Sequence, residues 1–258
     1  MIKNELKNLI SEYGPRVNRR SISLGIIIFI IIFSVVITGE LKKLPNGKLQ
    51  VVFCDVGQGD AIYLKTPKGL DILVDGGPDN KVLSCLGRHM PFWDRKIEMV
   101  FLTHPHSDHQ TGIVAVRQRY QVGEYFANNL TAGDKITTID GVIITVLWPS
   151  AGWQTDDTNN TSLVLKVNNI LLTGDAALSV IGPQDGFGGV DIFKVPHHGS
   201  KTSLDETVLK LISPKIAVIS AGKDNSFGHP APETISLLEK YGTKIRRTDL
   251  EGEIILTP

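Results

Sequence analysis

The chain has 258 residues, with 27 basic and 27 acidic side chains and a hydrophobic fraction of 41%. That length accommodates one globular domain of roughly 200 residues plus an appendage. The ordinary apolar content and the balanced charge exclude a disordered chain. With only two cysteines, the chain is also not a small fold held together by a disulfide framework.

Charge is distributed unevenly between the N-terminus and the rest of the chain. Residues 1–39 carry five basic and two acidic side chains, which leaves 22 basic and 25 acidic side chains for the remainder. The globular part therefore lacks the strongly basic composition of many nucleic-acid-binding domains. A nucleic-acid substrate stays compatible with this balance, because a bound metal adds positive charge that residue counting misses.

An uncharged, apolar run occupies residues 21–39, with LGIIIFIIIFSVVI at its centre. It is just long enough to cross a bilayer as one helix. Three arginines precede it, so the positive-inside rule predicts that residues 1–20 are a cytoplasmic leader and that the chain beyond the span is extracytoplasmic. We favour this single-pass anchor over a signal peptide, since residues 37–39 make a poor cleavage site, and over a buried core helix, since the run has no polar face. Residues 40–48 are predicted to be a linker.

The remaining pattern predicts strands and helices in the following chain order. Three paired strands lie within 49–75, followed by a helix at 81–87, a strand at 97–102, a helix at 112–119, strands at 122–127, 142–147, 162–167, 170–172 and 192–195, a helix at 204–212, a strand at 216–220, a helix at 234–241, and strands at 244–248 and 253–256. This order predicts an α+β fold in which helices cover the outer faces of two sheets.

The strand at 97–102 runs into THPHSDH, which places His104, His106, Asp108 and His109 within six residues. Alternate residues beyond a strand can point the same way, so His104 and His106 can bind one ion together. Asp108 and His109 can then face a second ion. Imidazole and carboxylate ligands suit zinc, manganese or iron. The density of these ligands at a strand end argues against an exposed histidine-rich loop or a hydrogen-bonded core cluster.

Two further strand ends carry metal-binding residue types. Asp175 in LLTGD can bridge two cations, although Gly-Asp is also a common turn. FKVPHHGS brings His197 and His198, and because adjacent strand residues point to opposite faces, one is expected to bind metal and the other to contact substrate or support the ligands. The residues leave this choice open, and we favour His198 as the ligand. The three motifs together predict a site for two divalent ions, Zn²⁺ or Mn²⁺.

HPHSDH, TGD and a late histidine resemble the metallo-β-lactamase fold. More specifically, DVGQGDAIYLKTP, ILVDGG, FLTHPHSDHQTG, NNTSLVL, LLTGD, KVPHHGSKTS and FGHPAPE resemble the C-terminal hydrolase region of the ComEC competence proteins. The resemblance covers roughly residues 49–258 and implies a four-layer αββα sandwich with its metals at one edge, here preceded by one transmembrane helix. The channel-forming membrane region of ComEC has no counterpart in these 258 residues, so a free-standing, singly anchored relative is expected.

One departure from the family pattern concerns the first metal. Many members supply a histidine between HxHxDH and the bridging aspartate, but no histidine lies between His109 and His197. The run DDTNN at 156–160 occupies the equivalent stretch. The first site is therefore expected to be weaker, or to be completed by an oxygen of Asp157 or Asn160, which would favour manganese over zinc.

Residues outside these motifs receive expected roles as well. Asp75 in LVDGG and Asp55 in DVGQGD are expected to support the ligands from behind, with turn formation as the alternative; Gln58 and Asp60 share the second loop. The predicted substrate contacts are Asn160, Ser200, Lys201 and His229, of which Ser200 and Lys201 would bind an anion at a helix start. Cys54 and Cys85 are expected to be packed thiols.

The ligand set predicts hydrolysis, since two cations lower the pKa of a bridging water toward about 7. Asp108 or Asp175 would orient that water, and His197 or His229 would protonate the leaving oxygen. We expect a membrane-anchored, extracytoplasmic phosphodiesterase or DNA nuclease. The alternatives are a hydrolase of phosphorylcholine-type or other small phosphoesters, a β-lactamase, and a non-catalytic, metal-containing accessory module of the DNA-uptake machinery; secretion after signal cleavage is the alternative location.

Overall fold

The structure, a computed structural model, describes residues 19–127 and 129–258. The chain divides into an N-terminal unit that ends at Lys43 and a larger unit, Leu44–Pro258. Most of the predicted leader lies outside the described residues.

Thirteen strands are found in the described residues: β1 (Gln50–Phe53), β2 (Ile62–Lys65), β3 (Asp71–Val74), β4 (Lys96–Leu102), β5 (Gln121–Ala127), β6 (Lys135–Thr137), β7 (Ile143–Trp148), β8 (Val164–Val167), β9 (Ile170–Leu172), β10 (Ile192–Lys194), β11 (Ile216–Ile219), β12 (Lys244–Arg247) and β13 (Ile254–Leu256). The helices described are α1 (Arg19–Leu41), α2 (Lys81–His89), α3 (Ser107–Arg119), α4 (Leu178–Ile181), α5 (Glu206–Ile212), α6 (Pro232–Lys240) and α7 (Thr248–Glu251). Short 3₁₀ turns cover Thr158–Thr161, Asp185–Phe187 and Pro196–Gly199.

The N-terminal unit contains one helix, α1, that is long and apolar enough to cross a membrane over Ile22–Leu41. No part of its apolar window is buried by the described residues. The helix continues to Leu41, two residues into the predicted linker.

The larger unit contains two sheets, with strand orders β13-β1-β2-β3-β4-β5 and β12-β11-β10-β9-β8-β7-β6. Their facing sides form one apolar core, which includes Phe53, Phe101, Leu165 and Leu172. The outer face of the first sheet packs against buried residues of α2 and α3, and the outer face of the second against those of α5 and α6. The predicted αββα sandwich is confirmed.

Parallel strands fix where the functional loops lie. β3, β4 and β5 run parallel, and so do β9, β10, β11 and β12. Because the carboxyl ends of parallel strands meet at one edge of a sheet, the loops that follow β3 and β4 lie together, as do those that follow β9, β10 and β11.

Two predicted helices need correction, and three short elements were not predicted. The helix predicted at 112–119 begins five residues earlier, at Ser107, because the backbone N–H groups of His109 and Gln110 already bond the carbonyl of His106. The helix predicted from 204 begins at Glu206, since the Asp205 carboxylate accepts a hydrogen bond from the Val208 N–H at 2.9 Å. The short elements β6, α4 and α7 were not predicted, because a segment of three or four residues shows little periodicity.

The cysteine prediction was wrong. Cys54 and Cys85 are buried and form a disulfide, with their Cα atoms 5.9 Å apart. Their separation of 31 residues revealed nothing about this proximity, which arises because α2 packs on the sheet beside the end of β1. The bond joins α2 to the start of the DVGQGD loop.

Candidate metal centre

The predicted ligands follow strand ends on both sheets. His104, His106, Asp108 and His109 follow β4, Asp175 follows β9, and His198 follows β10. The structure brings all six side chains into one cluster, which we call the ligand cluster.

Asp175 lies at the centre of the ligand cluster. Its Oδ2 lies 3.3 Å from Nε2 of His109, 3.6 Å from Nε2 of His198 and 3.9 Å from Nε2 of His104. One carboxylate therefore faces histidines from the loops after β4 and β10, as a bridging ligand must.

The ligand atoms fall into two groups on either side of Asp175. In the first, Nε2 of His104 lies 3.1 Å from Nδ1 of His106. In the second, Oδ2 of Asp108 lies 3.3 Å from Nε2 of His198 and 3.9 Å from Nε2 of His109. Ligand atoms of this second group and of Asp175 all lie within 4.8 Å of one another. The second group and Asp175 could therefore hold one divalent cation.

Asp108 and His109 belong to the first turn of α3 rather than to the loop before it. Asp60 and Gly59, in the DVGQGD loop, pack directly on this turn: the Asp60 N–H donates to the carbonyl of Asp108 at 3.1 Å. A Cβ at Gly59 would overlap that carbonyl oxygen, so only glycine allows the close approach.

The turn Pro196–Gly199 makes the side chains of the two adjacent histidines point in different directions. Both His197 and His198 have left-handed backbone angles, with φ of 48° and 53°. The alternation of side chains along a strand, which the prediction assumed, therefore does not apply to them. His198 is buried and lies 2.9 Å from the Ser220 carbonyl through Nδ1, which directs Nε2 to the cluster. His197 instead lines the cleft above it.

Asp75 contacts the ligand loop from below. Its Oδ2 lies 2.8 Å from Nδ1 of His109, and it accepts hydrogen bonds from the backbone N–H and hydroxyl of Thr103 at 2.8 Å each. Nδ1 of His104 lies 3.1 Å from the Ser162 hydroxyl. Each of these contacts turns an imidazole so that its other nitrogen faces the cluster.

Asp55 does not occupy the supporting role expected for it. It is exposed, and its carboxylate accepts a hydrogen bond from the Gly57 N–H at 3.4 Å, within the loop. Asp60 of the same loop is the buried carboxylate that reaches the cluster, with Oδ1 3.6 Å from Nδ1 of His198. The geometry of the loop between β1 and β2 buries Asp60 and exposes Asp55. The sequence alone did not predict this difference.

Lys194, at the end of β10, was missed by the sequence analysis. It is fully buried, forms an ion pair with Asp60, donates to the Gly174 carbonyl at 2.8 Å and lies 3.6 Å from Oδ1 of Asp175. Although burial alone lowers its pKa, Asp60 and Asp175 raise it, so the ammonium stays charged. A lysine inside the otherwise apolar FKV strand was the available signal.

The electrostatics prepare several ligands for metal binding. Burial lowers the pKa of His104 to about 3, which keeps the imidazole neutral and its lone pair free. Burial raises the pKa of Asp108, but the hydrogen bond to His198 and the charges of His109 and His198 outweigh this and lower it to about 2. Asp108 is therefore ionised at neutral pH.

In Asp175, His109 and His198, burial and the neighbouring charges shift the pKa in opposite directions. Burial works against the charged form of each, yet the two histidines lower the pKa of Asp175 well below its usual value. Asp175 in turn raises the pKa of His109 and of His198. The cluster thus attracts positive charge, which protons supply when no cation is bound.

The side chains fit divalent cations on a second ground. Within residues 19–127 and 129–258, Nε2 of His109 and Oδ1 of Asp175 are buried without a hydrogen-bond partner. Unpartnered buried polar atoms are costly, and a metal ion is one way to satisfy them. Imidazole and carboxylate together are the donor set of zinc and manganese sites.

The structure gives no support to Asp157 or Asn160 as a replacement for the absent histidine. Asn160 donates to Oδ2 of Asp157 at 2.9 Å and accepts from the Ala177 N–H at 3.2 Å, while Oδ1 of Asp157 accepts from the Asn159 N–H at 3.0 Å. Both side chains hold the 3₁₀ turn that follows Asp157, and Asn160 as a substrate contact stays a prediction. Without an oxygen ligand from Asp157 or Asn160, the preference for manganese over zinc has no structural support.

Ser200 and Lys201, the predicted anion contacts, do not lie at a helix start. Lys201 is exposed and pairs with Glu233 at 2.7 Å, and Ser200 is buried with its carbonyl bonded to Ser203 and Thr234. Helix α5 begins only at Glu206, so no helix N-terminus follows these residues directly.

A cleft of about 350 Å³ opens onto the ligand cluster. Its lining residues include Asp108, Asp175, His106, Asn159, His197 and Phe227. The ring of His229 lies 5.7 Å from that of His197 and stacks on Phe227. The cluster is therefore accessible from one side, next to two further imidazoles.

The chain is similar in sequence to a known family. The sequence profile of the "Metallo-beta-lactamase superfamily" matches residues 133–223, which include Asp175 and His198. Residues 133–223 are thus similar to part of a metallo-β-lactamase domain. Residues 104–109 lie outside the matched range, but the fold places them beside the matched residues Asp175 and His198.

Three curated relatives are similar over most of the chain. "Recombination protein 2" of Haemophilus influenzae is 29% identical over 261 residues, 93% of this chain; "Competence protein ComA" of Neisseria gonorrhoeae is 29% identical over 83% of it. "ComE operon protein 3" of Bacillus subtilis is 29% identical over 80% of it. The resemblance to ComEC-type competence proteins is thus confirmed, and the chain spans about a third of the length of these relatives.

Solved structures support the fold of the metallo-β-lactamase domain. The metallo-β-lactamase fold protein YhfI from Bacillus subtilis superposes with a TM-score of 0.57 at 12% identity, covering 81% of this chain and all of that one. A diphosphatase from the PhnP family superposes with a TM-score of 0.50 at 13% identity, covering 81% of this chain and 98% of that one.

Proposed function

We propose that this protein is a metal-dependent phosphodiester hydrolase that uses two divalent ions and acts on DNA. The observation that carries the proposal is the convergence of His104, His106, Asp108, His109 and His198 around the central carboxylate of Asp175, next to a cleft that His106, Asp108 and Asp175 line. The ComEC-type relatives suggest the substrate class, since their names refer to competence and recombination.

Each residue in the ligand cluster receives a role in this proposal. His104, His106 and Asp175 would hold one ion, and Asp108, His109, His198 and Asp175 the other. When bound, the ions would activate a water molecule and stabilise the negative charge that develops on the phosphoryl oxygens. Asp108, which is ionised and lines the cleft, would accept a hydrogen bond from that water and orient it.

His197 and His229 lie at the rim of the cleft, where a leaving oxygen would depart. Burial lowers the pKa of both histidines, so both are mainly neutral at pH 7. In this state they would donate a hydrogen bond to the leaving oxygen, which differs from the proton transfer expected from the sequence. Their two rings, 5.7 Å apart, could contact neighbouring oxygens of one phosphodiester.

We also propose that the hydrolase domain is anchored by α1 and lies outside the cytoplasm. The apolar window of α1, the arginines before it and the Cys54–Cys85 disulfide support this location. Disulfides persist in oxidising compartments and are rare in the cytosol.

The decisive experiment measures hydrolysis of single-stranded DNA by the full chain in detergent micelles, loaded with Zn²⁺ or Mn²⁺. We expect metal-dependent cleavage that is lost in His104→Ala and retained in His89→Ala, a matched histidine that pairs with Glu253 away from the cluster. Failure to cleave single-stranded DNA, double-stranded DNA or RNA under these conditions would contradict the proposal. Turnover of a phosphorylcholine ester would instead favour a small-phosphoester hydrolase, and metal-dependent DNA binding without turnover an accessory module.

A further inference from the structure

Phe227 is a large apolar side chain held in solvent beside the ligand cluster. It is 68% exposed, yet it lines the same cleft as the carboxylates of Asp108 and Asp175. Its ring lies nearly parallel to that of His229, at 18° and with the ring centres 5.9 Å apart. An aromatic face is thus presented at the rim of the cleft.

The loop that carries Phe227 is built by one side chain. The Asn225 amide donates to the carbonyls of Gly222 and His229 at 2.8 and 2.6 Å. Its Oδ1 accepts from the backbone N–H groups of Phe227 and His229 at 3.2 and 3.0 Å. Four hydrogen bonds from one residue hold the loop in a single shape, so the exposed position of Phe227 is supported by the fold.

The charges around the cleft restrict how a polyanionic strand could bind there. Of the described residues, those that line the cleft include neither lysine nor arginine. Neutralisation of the backbone by basic side chains is the usual source of affinity for nucleic acids. Where it is lacking, affinity must come from the metal ions and from contacts to the bases.

We propose that Phe227 is the stacking platform of a subsite for an unpaired base, next to the phosphodiester that the ligand cluster would cleave. The inference rests on the proposed phosphodiesterase function and specifies single-stranded nucleic acid as the substrate class. Every base has a π face, so an aromatic platform binds unstacked bases with little sequence preference. A duplex keeps its bases stacked on each other and cannot use the platform.

The test compares the full chain with Phe227→Ala and Phe227→Trp on two substrates, a single-stranded DNA oligonucleotide and an abasic strand of the same length. We expect Phe227→Ala to raise KM for the base-bearing strand about 10- to 100-fold and to leave KM for the abasic strand unchanged. Phe227→Trp should restore the wild-type KM. Trp93→Ala, which removes an aromatic ring that is 48% exposed and is not a lining residue of the cleft, is the matched control and should change neither value.

Two outcomes would overturn the stacking role. An unchanged KM in Phe227→Ala shows that no base contacts the ring, and equal losses on both strands show that Phe227 only shapes the cleft. If the wild-type chain hydrolyses neither strand, the proposed function fails, and fluorescence anisotropy with the two labelled strands then tests the subsite. Binding of the base-bearing strand that is no tighter than binding of the abasic strand, or that Phe227→Ala leaves intact, refutes it.

Discussion

His109 lies 2.8 Å from Asp75 through its Nδ1, while its Nε2 faces Asp175 at 3.3 Å. One imidazole is thus held between a supporting carboxylate below the ligand loop and the central carboxylate of the cluster. Because Asp75 also bonds the backbone and hydroxyl of Thr103, it orients both ends of the loop that carries the first four ligands.

Asp75→Asn is therefore expected to weaken metal binding without removing a ligand. Loss of such a supporting carboxylate commonly costs roughly 10- to 100-fold in metal affinity. Competition titration with a chromophoric chelator measures this directly. Asp55→Asn, in the exposed part of the neighbouring loop, serves as the control and should bind metal as the wild type does; equal affinity in both variants would contradict the role of Asp75.

Substitution of the adjacent histidines separates metal binding from catalysis. His198→Ala is expected to reduce the bound metal from two equivalents to about one, because its Nε2 faces Asp108 and Asp175. His197→Ala should keep both equivalents and lower kcat about 100-fold, through loss of a polar contact to the leaving oxygen. Metal analysis of the purified variants and steady-state kinetics make the comparison, and a similar metal loss in both variants would disprove this assignment.

Lys194→Met is expected to destabilise the domain strongly. Removal of the ammonium leaves Asp60 and Asp175 buried near one another without their cation, and breaking one partner of a buried pair costs about 3–5 kcal/mol. Urea unfolding of the chelator-treated chain in detergent reports the change. Lys215→Met, which breaks the ion pair of an exposed lysine with Asp191, should cost less than about 1 kcal/mol.

A second substitution distinguishes charge from packing at this site. If the loss in Lys194→Met comes from the unpaired carboxylate, then Lys194→Met with Asp60→Asn should recover part of the lost free energy of unfolding. A double variant no more stable than the single one would show that packing of the lysine chain, rather than its charge, is responsible.

Glu253 should make stability depend on acid pH. Burial raises the pKa of its carboxyl, but the contacts with His89 at 2.7 Å and Arg88 at 2.5 Å outweigh burial and lower it. A lowered folded pKa gives stability that is fully present above the unfolded pKa, near 4.3, and is lost as the pH falls through the folded value. Glu253→Gln should therefore lower the free energy of unfolding by about 1 kcal/mol at pH 7 and by progressively less below about pH 4. Thermal unfolding across this range measures the difference, and a gap that does not narrow in acid contradicts it.

The Cys54–Cys85 disulfide closes a loop of about 31 residues. A cross-link of this length stabilises by about 3–4 kcal/mol in the chain-entropy description. The double variant Cys54→Ser, Cys85→Ser should lose that amount in urea unfolding, and dithiothreitol should lower the stability of the wild type but not of the variant. Equal stability of the variant and the oxidised wild type would contradict the expectation.

The class of fold and the residue types at the strand ends could be predicted from local sequence patterns. HPHSDH, LLTGD and KVPHHGS place histidines and carboxylates at strand ends, and the order of strands and helices indicated two covered sheets. These features follow from local periodicity and from the types of residue, which a linear pattern records. The long apolar run at residues 21–39 was equally visible for the same reason.

Which residue of each pair of neighbours reaches the cluster could not be predicted from the sequence, because it depends on how the loops fold. His198 rather than His197 points inward because of a left-handed turn, and Asp60 rather than Asp55 is buried because of where the β1–β2 loop meets α3. Lys194 joins the site because β10 runs beneath it. Contacts between residues far apart in the chain depend on how the two sheets and their loops pack together, and local sequence patterns do not record that packing.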